Sequence, residues 1–206
     1  KKIHVIYNSI DSSRFVPAEE AQRAALRQQF GLPTTAVVFC FVGSGFERKG
    51  LASAIRAIAG TAAWLIVVGQ DKAENRYREL ARSLGCEGQI RFLGMQKETL
   101  PFYQLSDGLL LPTLYDPFPN VILEAMACGL PVITSESCGG AEFIEQGNNG
   151  FYCDALDINT LKEAVTAIPS LEKNNNMGLA ARERVKEATP EKLSSQLISL
   201  YQKLLD

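Results

Sequence analysis

Four charged side chains stand in two short stretches of the kind that line ligand sites: Arg48 and Lys49 in "GSGFERKG" (43–50), and Asp116 and Glu124 in "LYDPFPNVILEAMACGLPVITS" (114–135). The first stretch follows the apolar run "AVVFCFV" and precedes "LASAIRAIAG", so it marks a handover from strand to helix. Gly43 and Gly45, with Ser44 between them, let backbone approach a ligand closely, and Arg48 and Lys49 add two cations at the mouth. Because the free N–H groups of a helix start already attract anions, this combination suits a diphosphate. The stretch nearly spells the G-x-G-x-x-G of dinucleotide sites, yet Arg48 stands where the third glycine would allow close helix packing. Taken alone, Arg48 and Lys49 read equally well as ordinary charges on a first helical turn.

The second stretch places Asp116 and Glu124 eight positions apart. Asp116 falls in a loop after a strand and Glu124 on the first turns of the next helix, so both carboxylates can line one side of a ligand entering at the helix start. Pro119 sets φ near that start, and the N–H groups of Asn120 and Val121 remain as anion donors. Carboxylates suit sugar hydroxyls and the amides suit phosphate. Separately, Glu124 reads as a helix-surface acid and Asp116 as a turn former before proline. Together with the two cations and the flexible backbone of a third loop, "CGGAEFIEQGNNG", they describe a nucleotide-sugar pocket.

Such a pocket needs a scaffold that brings three loops to one edge. Six β-rich runs, "VVFCFVG", "WLIVVG", "IRFLG", "GLLLPT", "PVITS" and "GFYCD", alternate with segments around 49–60, 74–84, 97–106, 120–129 and 141–146. Most of these are long enough for crossover helices, as parallel pairing requires, and near-continuous apolar strands suit a sheet covered on both faces. The pattern predicts a doubly wound α/β domain of about six parallel strands with ligands at their carboxyl ends. Gly31, Gly85 and Gly129 mark helix ends. The last forty residues read as helical, split near Pro190, with Leu193, Leu197, Leu200 and Leu204 on one apolar face. The domain is assigned to 18–189, preceded by a lead-in segment over 1–17 and followed by a C-terminal helix over 190–206.

Composition narrows the function classes. With 206 residues, 46% of them hydrophobic, and a net charge of -2, the chain supports a sizeable core and no basic field for nucleic acid. Apolar runs are too short to span a bilayer, so membrane contact is at most peripheral, and the first residues lack a signal-peptide pattern. Five cysteines, Cys40, Cys86, Cys128, Cys138 and Cys153, show no C-x-x-C spacing and read as reduced, buried and cytosolic. His4, the single histidine, reads as structural within "IHVIY", and no metal site is expected. The start, without methionine, reads as that of an excised part of a longer protein.

These residues resemble the C-terminal, donor-binding domain of retaining glycosyltransferases of family 4, whose GT-B architecture sets two Rossmann-like domains across a cleft. "VIYNSIDSSRF" looks like the family's N-G-I-D stretch, "GSGFERKG" like its diphosphate loop, and "DPFPNVILEAMACGLPV" like its E-x₇-E region, with "GGAEFIEQGNNGF" next in order. "GSGFERKG" and "VVGQDK" look closest to lipopolysaccharide-core glucosyltransferases that use UDP-glucose. The resemblance implies a UDP-hexose donor and retaining transfer to a glycan or lipopolysaccharide-core acceptor, without cofactor or metal. It also implies that the acceptor site lies largely on an N-terminal domain absent from this chain, and that the full-length enzyme is cytoplasmic or peripheral to the inner membrane. Arg48 and Lys49 would hold the diphosphate, Asp116 would meet hexose hydroxyls, Glu124 the ribose, and Gly94, Met95 and Gln96 would border the base. Asp116 departs from the family's usual first glutamate by one methylene, which leaves the identity of the hexose open. Two rival readings remain: a nicotinamide site with Asp71 as its ribose acid, and a non-catalytic α/β binding domain.

Overall fold

Five consecutive apolar residues leave no face for water, so "VFCFV" must be covered on both sides. In the computed structural model, which describes residues 3–168 and 176–205, this stretch is β1 (Val38–Val42), buried at every position inside a six-stranded sheet. Its companions are β2 (Trp64–Val68), β3 (Ile90–Gly94), β4 (Gly108–Leu111), β5 (Val132–Ser135) and β6 (Gly150–Cys153). All pairs are parallel and the order is β3-β2-β1-β4-β5-β6, so the chain winds outward in both directions from β1. The predicted doubly wound sheet of six strands is thereby observed. The winding reverses between β1 and β4, and in folds of this type ligands bind at the carboxyl ends of the strands beside such a switch point.

The helices are α1 (Glu20–Gln29), α2 (Leu51–Ile58), α3 (Glu74–Ser83), α4 (Leu100–Gln104), α5 (Asn120–Ala127), α6 (Ile158–Ala167), α7 (Asn176–Val185) and α8 (Pro190–Leu205). Gly31, Gly85 and Gly129 follow α1, α3 and α5 with positive φ, as their positions predict. Two expected helices are smaller than the spacing implied. The segment 97–106 holds only the five-residue α4, and around 141–146 the crossover is a 3₁₀ turn, Gly139–Phe143. That turn is pressed onto its neighbours: a Cβ on Gly139 would lie 1.7 Å from the carbonyl oxygen of Pro117, and one on Gly140 2.3 Å from Ile122. The glycines expected to lend flexibility here instead allow close contact.

All five cysteines are free and buried. Burial pushes the Cys40 thiol up to about 12 and that of Cys153 to about 11, so neither is a ready thiolate near neutral pH. His4 departs from expectation, since it is exposed in a segment without regular structure. Helix α8 buries no residue; Leu193, Leu197 and Leu200 are half-buried while Leu204 is 72% exposed. Of the expected C-terminal helical stretch, residues 169–175 and 206 lie outside the described residues, as do residues 1–2 of the lead-in segment.

Candidate functional site

The loop after β1 is anchored by its one aromatic residue. Phe46 is fully buried, edge-on to Phe41 at 6.0 Å and to Tyr77 at 5.6 Å, so the residues on either side are held at the surface. Asp71, in the loop after β2, accepts the N–H of Phe46 at 2.8 Å and that of Ala73 at 2.8 Å. The acid that a nicotinamide site would turn to a ribose is therefore occupied in bracing the loop. Gly69, for which sequence offered no role, admits the loop: a Cβ there would lie 2.2 Å from the carbonyl oxygen of Gly43. Among the described residues, the N–H groups of Ser44, Gly45, Glu47 and Arg48 donate to no backbone or side-chain acceptor.

The missing third glycine is displaced, not lost. Gly50 caps α2 with φ 77°, and a Cβ there would lie 1.8 Å from the carbonyl oxygen of Pro112. Loop 43–50 therefore packs backbone to backbone against the loop after β4, and two bonds stitch them together. Leu114 N–H at 2.8 Å and Thr113 Oγ1 at 2.9 Å both donate to the carbonyl of Arg48. Lys49 lies before the helix, not on its first turn.

Across this seam, Arg48 Nη1 and Lys49 Nζ both donate to Oδ2 of Asp116, each at 2.7 Å. Arg48 also reaches the carbonyl of Tyr115 at 3.1 Å. The arginine side chain is half exposed, whereas those of Lys49 and Asp116 are about nine-tenths buried. Burial pushes the Asp116 carboxyl up, but hydrogen bonds from Lys49 and Arg48, with their charges, outweigh it and hold the group below its ordinary value of 3.8. Oδ1 of Asp116 accepts no hydrogen bond from the described residues. Two cations share one carboxylate, leaving a local surplus of one positive charge at the crevice.

Helix α5 begins beside this cluster at Asn120, with Pro119 as its N-cap, where sequence placed the helix start. Neither Asn120 nor Val121 spends its N–H on a described acceptor, as expected of an anion-binding helix start. The Asn120 side chain accepts from Asn8 at 2.7 Å, which ties the lead-in segment to the helix start. Glu124, one turn on, is half-buried and takes Tyr103 Oη at 2.7 Å and Thr99 Oγ1 at 3.4 Å, both on Oε2. Gly94 ends β3 at the same edge and Met95 and Gln96 follow it, with β2 between them and β1; Met95 is 70% exposed and Gln96 Nε2 folds back onto Leu93 O at 2.7 Å.

Sequence reasoning missed the supports, namely Asp71 beneath the phosphate-type loop, Tyr103 and Thr99 behind Glu124, and Asn8 against Asn120. Each is a polar side chain meeting a partner 21 to 112 positions away, so local patterning carried no trace of them. Among the described residues, no group of three or more His, Cys, Asp or Glu could hold a metal ion.

Comparison with known proteins accords with this geometry. The family described as "Glycosyl transferases group 1" matches residues 22–192. The lipopolysaccharide core biosynthesis glycosyltransferase LpsE of Rhizobium meliloti is 31% identical over 202 residues, covering 97% of this chain and 56% of that protein. The lipopolysaccharide glucosyltransferase WaaG of Escherichia coli is 34% identical over 134 residues, covering 62% of this chain and 36% of that protein. Among solved structures, Anabaena Alr3699/HepE in complex with UDP-glucose superposes with a TM-score of 0.84 at 22% identity, over 97% of this chain and 57% of that one. The chain thus spans about half the length of the curated relatives it matches.

Proposed function

This chain belongs to the glycosyl transferases group 1 family, and on that premise we propose that it is the donor-binding half of a retaining hexosyltransferase that takes a UDP-hexose, with UDP-glucose the first choice. The observation that carries this reading is the convergence of Arg48, Lys49 and unspent N–H groups at the crevice between β1 and β4. A departing nucleoside diphosphate develops negative charge there, and preorganised cations and amides in a partly dry cleft stabilise it without reorganising. The bond from the anomeric carbon to the diphosphate breaks, a bond to the acceptor hydroxyl forms on the same face, and the hydroxyl proton passes to a donor phosphate oxygen. Arg48 and Lys49 carry the charge a metal ion supplies elsewhere.

Glu124 takes the ribose hydroxyls and Gly94 to Gln96 border the base. In this reading Asp116 has two tasks: Oδ2 fixes both cations, and Oδ1 serves a hexose hydroxyl, a role supported by its accepting no bond from the described residues. The glucose assignment draws on WaaG, named a lipopolysaccharide glucosyltransferase, and on the UDP-glucose complex of HepE; the acceptor class, a glycan of the lipopolysaccharide core, draws on LpsE. The acceptor would be completed by the part of the full-length protein outside this chain, working in the cytoplasm or at the inner membrane surface. No helix among the described residues is long and apolar enough to cross a membrane.

Calorimetry with UDP, ADP, GDP and NADH, with and without EDTA, tests the reading. UDP should bind best and keep its affinity in EDTA. Preference for ADP, GDP or NADH would overturn the donor assignment, and loss of binding in EDTA would overturn the metal-free chemistry.

A further inference from the structure

Tyr103 is 0% exposed, its ring edge-on to Phe15 at 6.1 Å, yet its hydroxyl reaches out of the core to a carboxylate on another helix. A buried tyrosine needs an acceptor, and most find a backbone carbonyl or water. Here the acceptor is Oε2 of Glu124 at 2.7 Å, the same oxygen that Thr99 Oγ1 meets at 3.4 Å. Thr99 stands at the N-cap of α4, where a threonine side chain ordinarily bonds its own helix, and it makes no such bond. Two hydroxyls from one short helix thus converge on one oxygen, while among the described residues Oε1 accepts nothing. A glutamate has three side-chain torsions to order before it can hold a ligand, and anchoring one oxygen removes most of that freedom in advance. Burial, the first cause, together with the adjacent Glu124 charge, raises the Tyr103 phenol well above its ordinary 10.0, so it stays a donor at every working pH.

We propose that Tyr103 is a positioning residue for ribose recognition: by donating to Oε2 of Glu124 from within the core, it fixes the carboxylate and reserves Oε1 for the ribose hydroxyls of the donor. This rests on the reading of Glu124 as the ribose-binding acid. It adds that specificity for a ribonucleotide is built in α4, which contributes no atom to the ligand. Thr99 plays the same part more weakly, through its longer contact.

Calorimetry with UDP and with 2′,3′-dideoxy-UDP, on wild type, Tyr103→Phe, Thr99→Val, Glu124→Gln and the Tyr103→Phe/Glu124→Gln pair, tests it, with thermal melting as a check on folding. Tyr103→Phe should weaken UDP roughly five- to twentyfold and dideoxy-UDP less than about twofold, and in the Glu124→Gln background it should add less than about twofold. Thr99→Val should show the same ribose-dependent loss at roughly two- to threefold, and it carries the test if Tyr103→Phe does not fold. Equal losses for both nucleotides would mark Tyr103 as structural and overturn the inference while leaving Glu124 its role. So would an unchanged UDP affinity in a Tyr103→Phe protein whose Glu124→Gln counterpart loses it. If Glu124→Gln binds UDP as wild type does, the ribose assignment fails and the positioning role falls with it.

Discussion

Two aspartates flank β4, and each is gripped by two cations. At the strand's start Asp107 meets Arg23 Nη2 at 2.5 Å and Arg27 Nη2 at 2.6 Å, and it also accepts the N–H of Val38 at 2.7 Å. Beyond the strand's end Asp116 meets Arg48 and Lys49. The charge count is the same, but the surroundings are not. Arg27 gives its remaining donors to three backbone carbonyls, Leu105 at 2.9 Å, Thr34 at 2.8 Å and Ala36 at 3.0 Å, and is 2% exposed. That set joins α1, β1 and β4 at the amino edge of the sheet, where ligands do not bind in such folds. The Arg48 guanidinium reaches a single backbone carbonyl among the described residues and is half exposed, so its grip can be exchanged for a ligand's oxygens. A carboxylate with two cations is a rivet where both cations are buried against the fold, and a candidate binding site where one of them stays half exposed.

The sharpest way to break this contrast is Asp107→Asn. Two buried guanidinium groups would lose their counter-charge, which costs about 3–5 kcal/mol and lowers Tm by roughly 10 °C for a chain of this size. Melting followed by circular dichroism checks this; a loss of only a degree or two would make the amino-edge cluster dispensable.

Next in size, Lys49→Ala and Arg48→Ala should each lower kcat of the full-length enzyme by roughly ten- to a thousandfold, with folding retained. Lys49 is 8% exposed, so part of its effect on Tm comes from lost packing of its stem over Gly43, which its Cε would meet at 3.2 Å from a Cβ there. Arg48→Ala, at the half-exposed position, is the cleaner variant, and a Tm that collapses with its activity would make the pair structural after all.

Asp116→Asn follows. Both cations remain, so UDP affinity should change less than about threefold, while turnover of the intact donor falls about tenfold as the charge-assisted contact to the hexose is lost. Its Tm should fall by well under the drop in Asp107→Asn, because Arg48 can turn to water. Asp116→Glu restores the family's usual reach and should be tolerated or shift preference among UDP-glucose, UDP-galactose and UDP-N-acetylglucosamine.

The smallest effect is with pH. The folded Asp116 carboxyl is held below 3.8, so its pairing stabilises the fold fully above that value and the contribution is lost as pH falls through the lower folded value. Melting scans should therefore show no step attributable to Asp116 between about pH 5 and pH 8, and an acid-side loss that Asp116→Asn removes.

What sequence disclosed and what it hid follow the same division. The six strands were legible because uninterrupted apolar runs such as "VFCFV" and "WLIVV" admit few other fates, and the candidate site residues could be singled out because glycines, cations and acids fell in the loops after those runs. The amino-edge rivet was invisible: Arg23 and Arg27 lie on a polar-looking helix, and their partner is 84 and 80 positions away. Separation in sequence likewise hid Tyr103 behind Glu124, 21 positions on, and the sharing of Asp116 by Arg48 and Lys49, 68 and 67 positions away. The Gly139–Gly140 pair was misjudged as flexible because glycine permits mobility and close packing alike, and only the carbonyl of Pro117 at its back decides between them.

The central claim, that Arg48 and Lys49 hold a diphosphate while Arg23 and Arg27 hold the fold, is tested most directly by titrating UDP and uridine into wild type and Arg48→Ala. Wild type should bind UDP at least about a hundredfold more tightly than uridine, and Arg48→Ala should forfeit about tenfold or more of that difference while binding uridine as before. A variant that loses UDP and uridine affinity equally, or neither, would contradict the account.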